Sequence, residues 1–166
     1  FSQTDCKFNY RESVFKTNGG IIFSVSLSLS PQNKEILKSR AIEIIKTRNQ
    51  RYNTQWQCAG CVFKNIDLKK VPVDRKKVIK ELDVTDKEYD EVTKYGKLPV
   101  SFIVDKLGLK GMKMGGAQIA HEHGAFILNA GGAKAEDVIM LMSFIKVKVR
   151  NLLGIQLEQE IELVGF

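Results

Sequence analysis

The stretch from Ala135 to Leu153 constrains the fold most strongly. Val138, Leu141, Met142, Ile145, Val149 and Leu152 recur at helical spacing and fall on one face. Gly154 follows where a left-handed C-terminal cap belongs. A helix this long must bury its apolar stripe, and the remaining sequence offers mainly short runs for it to cover. Ile21 to Leu29 alternates as a strand. The segment from Cys58 to Asn65 reads as a tight turn into a short strand, Phe126-Ile127-Leu128-Asn129 as a short buried strand, and Ile155 to Val164 as a closing strand. Ser30-Pro31 predicts the start of a helix with Ile36, Leu37, Ile42, Ile44 and Ile45 on its apolar side, running to about Thr47. Leu98 to Leu107 predicts another helix, ended by Gly108. Residues 66–97 are charge-rich, with helical spacing near Val78–Leu82 and Tyr89–Val92, and read as an excursion on the surface. Helices and strands alternate irregularly. The expected class is α+β, with a small mixed sheet covered by helices.

The chain has 166 residues, with 26 Lys+Arg against 19 Asp+Glu and a net charge of +7. Its hydrophobic fraction of 43% argues against general disorder. The most apolar run, Gly19 to Leu29, is interrupted by serines and too short to span a membrane. The positive balance suits an anionic ligand, either a nucleotide-linked substrate or nucleic acid. The chain begins at Phe1 with no export signal and reads as a piece of a longer protein. Three cysteines, Cys6, Cys58 and Cys61, point to reduced thiols and a cytoplasmic setting.

Three groups of residues bear on chemistry. Cys58-x-x-Cys61 reads as a dithiol pair, or as half of a zinc site completed by His121 and His123, although that spacing matches no usual finger. The glycine-rich Gly111 to Gly116 lacks the Lys-Ser/Thr ending of a phosphate loop, so close backbone packing is the stronger reading. Glu158, Glu160 and Glu162 alternate on the last strand and share one face. One of them, held in a cleft, would suit acid–base work.

Taken in order, the segments resemble one family. Cys6-Lys7-Phe8-Asn9-Tyr10-Arg11-Glu12-Ser13-Val14-Phe15-Lys16 is similar to the C-x-F-x-Y-R-x-S-x-F-K stretch of the UDP-N-acetylenolpyruvoylglucosamine reductases. Ala59-Gly60-Cys61-Val62-Phe63-Lys64-Asn65 resembles their A-G-S-x-F-K-N-P motif. Gly108-Leu109-Lys110-Gly111 and Gly115-Gly116-Ala117-Gln118 match G-L-K-G and G-G-A-Q, and Leu157-Glu158-Gln159-Glu160-Ile161 resembles the terminal L-E-P-E-V.

The resemblance implies a flavoenzyme of peptidoglycan precursor synthesis. Such an enzyme uses NADPH and FAD to reduce the enolpyruvyl ether of UDP-N-acetylglucosamine enolpyruvate to the lactyl ether of UDP-N-acetylmuramate. Residues 1–30 then correspond to the last piece of the FAD-binding domain and residues 31–166 to the substrate-binding domain. The rest of the FAD-binding region is the implied partner; neither nucleic acid nor membrane is. By position, Cys61 corresponds to the family's proton-donating Ser and Glu160 to its C-terminal catalytic Glu. Tyr10, Asn65 and His123 match substrate contacts. The cation that binds substrate falls on Arg51 or Arg48. Cys for Ser at 61, and Ile66 and Gln159 where proline is usual, depart from the family pattern. A thiol is a sound proton donor, with a lower intrinsic pKa than an alcohol. The alternative function is a basic Cys/His zinc module that binds nucleic acid.

Overall fold

The computed structural model describes residues 1–51 and 56–165, with the side chain of Arg51 outside the description. The chain forms two compact units, Phe1–Tyr52 and Asn53–Phe166.

The first unit opens on local turns. The N–H of Asn9 donates to the carbonyl of Glu12 at 3.0 Å and the N–H of Glu12 returns a bond at 3.1 Å, leaving Tyr10 and Arg11 at the tip. Val14–Lys16 makes a single 3-10 turn. The Ile21–Leu29 run, expected as a strand, joins no ladder among the described residues. Alternation becomes a strand only when a neighbouring edge takes up its backbone groups, and here Ile21, Phe23, Val25, Leu27 and Leu29 stand exposed. Helix α1 spans Lys34–Arg51 and starts later than Ser30-Pro31 suggests. Its cap is Asn33, whose side-chain oxygen accepts from the N–H groups of Glu35 and Ile36 at 2.9 and 3.2 Å. The apolar side of α1 is also exposed.

The second unit holds the core. Its elements are β1 (Ile66–Asp67), α2 (Arg75–Glu81), α3 (Asp86–Thr93), β2 (Lys97–Leu98), α4 (Val100–Lys106), β3 (Lys113–Met114), β4 (Ala117–Ile119), β5 (Ile127–Asn129) and α5 (Ala135–Leu153). The α+β class holds, and the strand pairings are antiparallel. β1 pairs with β2, with Ile66 opposite Leu98. β3, β4 and β5 form the other sheet, with Met114 opposite Ala117 and Ile119 opposite Ile127. α5 lies against β3, β4 and α2 and buries Leu141, Met142, Ile145, Val149 and Leu153. Gly154 takes φ 76, and its N–H donates to the carbonyl of Arg150 at 2.8 Å, closing the helix as its sequence requires.

Three expectations change. Residues 66–97 are not a surface excursion: Val78, Leu82, Val84 and Tyr89 are buried in the common core. The β1–β2 pairing ties the two ends of this segment together, and α2 packs on α5. Its charges lie on the exposed sides of α2 and α3 and in the turns around them, and Lys97 pairs with Asp67 across β1 and β2 at 3.0 Å. Asp74 caps α2, and Thr85 with Glu88 forms a capping box on α3. Next, Leu98 belongs to β2 rather than to a helix, and Pro99 separates it from α4. Finally, the expected closing strand reduces to a single bridge at Gln159, preceded by buried Ile155 and Leu157.

Candidate active site

The segment Cys61–Lys64 is held on both edges. On one edge Cys61 bridges Phe126, and the N–H of Val62 donates to the carbonyl of Ala125 at 2.9 Å. On the other edge Phe63 bridges Gln159. The N–H of Lys64 donates to the Glu158 carbonyl, and that of Glu160 to the Val62 carbonyl, each at 2.9 Å. Val62 and Phe63 are both buried, so both faces pack at the middle of the segment, while Cys61 and Lys64 at its ends are half-buried. This ladder brings Cys61, His123 and Glu160 to three adjoining stretches of chain.

The approach to Cys61 is bulged. The N–H of Asn129 donates to the carbonyl of Gln57, while Cys61 is opposite Phe126. The 57–61 stretch is therefore one residue longer than the 126–129 stretch beside it. Gly60 absorbs the excess at φ 89, a conformation that costs other residues strain. Bulges of this kind re-aim the side chain that follows them, here Cys61.

Each expected residue has a definite setting. Cys61 is half-buried and Cys58 exposed. Glu160 is half-buried, whereas Glu158 and Glu162 are exposed. Glu158 is also engaged by the Lys64 ammonium at 3.4 Å. Burial thus separates three carboxylates that alternation alone leaves equivalent. The His123 ring accepts at Nδ1 from the N–H of Ala125 at 3.3 Å and stands edge-on to Phe126 at 4.7 Å. Burial lowers its pKa from the ordinary histidine value, favouring the neutral ring. Asn65 accepts at Oδ1 from the N–H of Val100 at 3.3 Å, so this side chain also starts α4. Tyr10 and Arg51 belong to the first unit and are described there alone. Tyr10 is half-buried with the Arg11 guanidinium 5.4 Å from its ring centre. Arg51 ends α1.

The glycine-rich turn is packed, as its composition suggests. A Cβ on Gly115 would meet the Asp137 carboxylate at 2.2 Å, and one on Gly116 the backbone N of Ala133 at 2.4 Å. Asp137 accepts from the N–H groups of Gly116 and Lys134, each at 3.0 Å, and these bonds hold its carboxyl below the ordinary carboxylate range. Asp137 thus joins the β3–β4 turn to the first turn of α5. Sequence reasoning missed this role; an acid in the first turn of a helix, downstream of a Gly-Gly pair, is the signal that was there to read.

A pocket of about 170 Å³ opens beside the ladder, and its walls include Cys58, Val62, Asn129, Lys134, Val138 and Ile161. Cys61, Glu160, Asn65 and His123 do not line it. Among the described residues, no three His, Cys, Asp or Glu side chains gather to hold a metal ion. His121 instead has Nε2 3.3 Å from the Gln118 amide nitrogen, and the zinc reading finds no geometric support. No described helix is long and apolar enough to cross a membrane.

Comparison with known proteins supplies the frame for this geometry. The sequence profile of the UDP-N-acetylenolpyruvoylglucosamine reductase C-terminal domain matches residues 50–164. The chain is 31% identical over 166 residues to the UDP-N-acetylenolpyruvoylglucosamine reductase of Solibacter usitatus, covering 99% of this chain and 50% of that protein. It is 33% identical over 162 residues to the reductase of Thermotoga petrophila, covering 98% of this chain and 47% of the relative. The crystal structure of the corresponding reductase of Thermus caldophilus superposes with a TM-score of 0.64 at 29% identity, over 96% of this chain and 46% of the other. The chain spans about half the length of the curated relatives it matches. The profile covers most of the chain, including the whole Cys61–Glu160 ladder, and so the chain belongs to the UDP-N-acetylenolpyruvoylglucosamine reductase family.

Proposed function

We propose that this chain supplies the substrate-binding part of a cytoplasmic enzyme that reduces UDP-N-acetylglucosamine enolpyruvate to UDP-N-acetylmuramate at the expense of NADPH. Residues 1–30 are assigned to the end of the FAD-binding domain and residues 31–166 to the substrate-binding domain. The described glycine-rich turn packs on its own Asp137 and Ala133. We assign FAD to the other part of the enzyme. When bound there, it supplies the hydride for the β-carbon of the enolpyruvyl group.

The residues of this chain manage the proton and the developing charge. Charge builds at the α-carbon and spreads into the substrate carboxylate. Cys61, on the bulge-aimed end of the central segment, gives a proton to the α-carbon and becomes a thiolate. Glu160, from the adjoining segment, acts on the same reacting group from the other edge of the ladder. Neutral His123 offers a polar contact without adding charge. Asn65, Tyr10 and a cation at Arg51 or Arg48 are assigned to the rest of the substrate.

The observation that carries this reading is the bond from the Glu160 N–H to the Val62 carbonyl at 2.9 Å, next in sequence to Cys61. Two residues about a hundred positions apart, each matching a family catalytic residue, are thereby held on adjacent segments. The test is turnover of UDP-N-acetylglucosamine enolpyruvate with NADPH by an enzyme carrying these residues and its flavin-binding part. Reduction of flavin with no muramate product in the parent enzyme would sink the proposal.

A further inference from the structure

We propose that Lys146 and Gln159 are positioning residues for Glu160, an inference that rests on the catalytic role proposed for Glu160. The Lys146 ammonium, on α5, donates to the side-chain oxygen of Gln159 at 3.2 Å, and both groups are half-buried. A charged donor shielded in this way makes a stronger bond than a neutral pair in open water.

Gln159 stands where the resembled L-E-P-E-V motif has proline. Proline narrows the backbone torsions of the residue that carries it, and glutamine restores that freedom immediately before Glu160. Gln159 lies opposite Phe63 in a pair whose ladder bonds are made by its neighbours, Lys64 with Glu158 and Glu160 with Val62. Its own N–H takes no part in that pairing, so a proline would break no bond there. On the far side Ile161 packs against the core, and beyond it Glu162, Leu163, Val164 and Gly165 are exposed. Glu160 is thus steadied by the central segment on one side and, through Gln159, by α5. That helix is anchored in the core, with Leu141, Ile145 and Val149 fully buried. The side-chain bond supplies a restraint of the kind that a proline ring at this position would supply.

The test uses an enzyme containing these residues and its flavin-binding part, assayed with UDP-N-acetylglucosamine enolpyruvate and NADPH. Gln159→Ala is expected to lower kcat about tenfold, the scale of a misaligned reacting group. KM for the sugar nucleotide stays within about twofold, and flavin bleaching by NADPH alone is unchanged. Lys146→Met has the same effect, and the double variant is no worse than either single one, because one bond is lost in all three. Lys146→Gln stands in if the methionine variant does not fold. Gln159→Pro returns kcat to within about threefold of the parent although it removes the bond. A kcat for Gln159→Ala within about twofold of the parent overturns the proposal. So do multiplying losses in the double variant, or a proline variant no better than alanine. Glu160→Gln separates the two readings. If it keeps full turnover, the catalytic reading of Glu160 falls and the positioning role falls with it. If it loses turnover while Gln159→Ala does not, the positioning role alone falls.

Discussion

Cys61 and Glu160 are reached from different sides of one central segment, and their replacements should separate proton delivery from flavin reduction. Cys61→Ser is expected to keep substantial turnover, because the resembled A-G-S motif carries an alcohol at that position. Cys61→Ala should largely stop product formation while NADPH still bleaches the flavin; full activity in that variant would remove the proton-donor role. Glu160→Gln should lower kcat by two or more orders of magnitude, the scale of a lost acid–base or charge-stabilising group. Glu158→Gln should cost far less, since Glu158 is exposed and engaged by Lys64. A larger loss at Glu158 would exchange the two assignments. His123 sets a pH dependence of stability. Its folded-state pKa lies below the ordinary 6.5, so the unfolded chain takes up the proton more readily. The contribution is complete above about pH 6.5 and is lost as pH falls below it. Melting temperature should drop between pH 7.5 and pH 5.5, and His123→Gln should flatten that drop. An unchanged slope in the variant would assign the effect to other groups.

At the scale of elements, α2 and α3 illustrate what charge content conceals. Their sequence is dominated by Lys, Arg, Asp and Glu, yet Val78, Leu82 and Tyr89 reach the core. Leu82→Ala is expected to cost about 2–5 kcal/mol in denaturant unfolding, the range for emptying a buried leucine site. Lys87→Ala, on an exposed position of α3, should change little. If the two variants unfold alike, the segment is peripheral after all. The β3–β4 turn is equally specific. Gly115→Ala must place a Cβ on the Asp137 carboxylate at φ 53, and should lose about 1–3 kcal/mol. Helix α5 was legible to the residue because period, cap and length agree within one stretch. The helix expected over 98–107 is present as α4, but its start was set two residues early because strand pairing at Leu98 depends on Ile66, far away in sequence. The closing strand was over-extended because alternation cannot tell one bridge from a full ladder. At the site, family motifs supplied the residues, but alternation gave three equivalent glutamates. The motif match singles out Glu160, and in the structure burial and the Lys64 ion pair set it apart from Glu158. The Lys146–Gln159 bond spans two elements and has no local signature.

At the scale of the molecule, the chain matches about half the length of its relatives, and the proposed chemistry is shared with a flavin-binding part. The 166 residues alone are therefore expected to oxidise no NADPH in the presence of FAD and the enolpyruvyl sugar nucleotide; stoichiometric oxidation would place the flavin site within them. The two units also differ in how they satisfy their apolar residues. The run Ile21-Ile22-Phe23-Ser24-Val25-Ser26-Leu27-Ser28-Leu29 has no charge, proline or glycine, and its large apolar side chains are exposed. That has a colloidal consequence. Such a window can zip with copies of itself into stacked sheets, with each strand supplying the edge the next one lacks. Concentrated solutions of the 166 residues should seed fibres here, giving thioflavin fluorescence and a reflection near 4.7 Å. Val25→Lys should suppress both by putting a charge in every layer, while leaving the melting of the second unit unchanged. Fibres that form equally fast in Val25→Lys would place the seed in another segment.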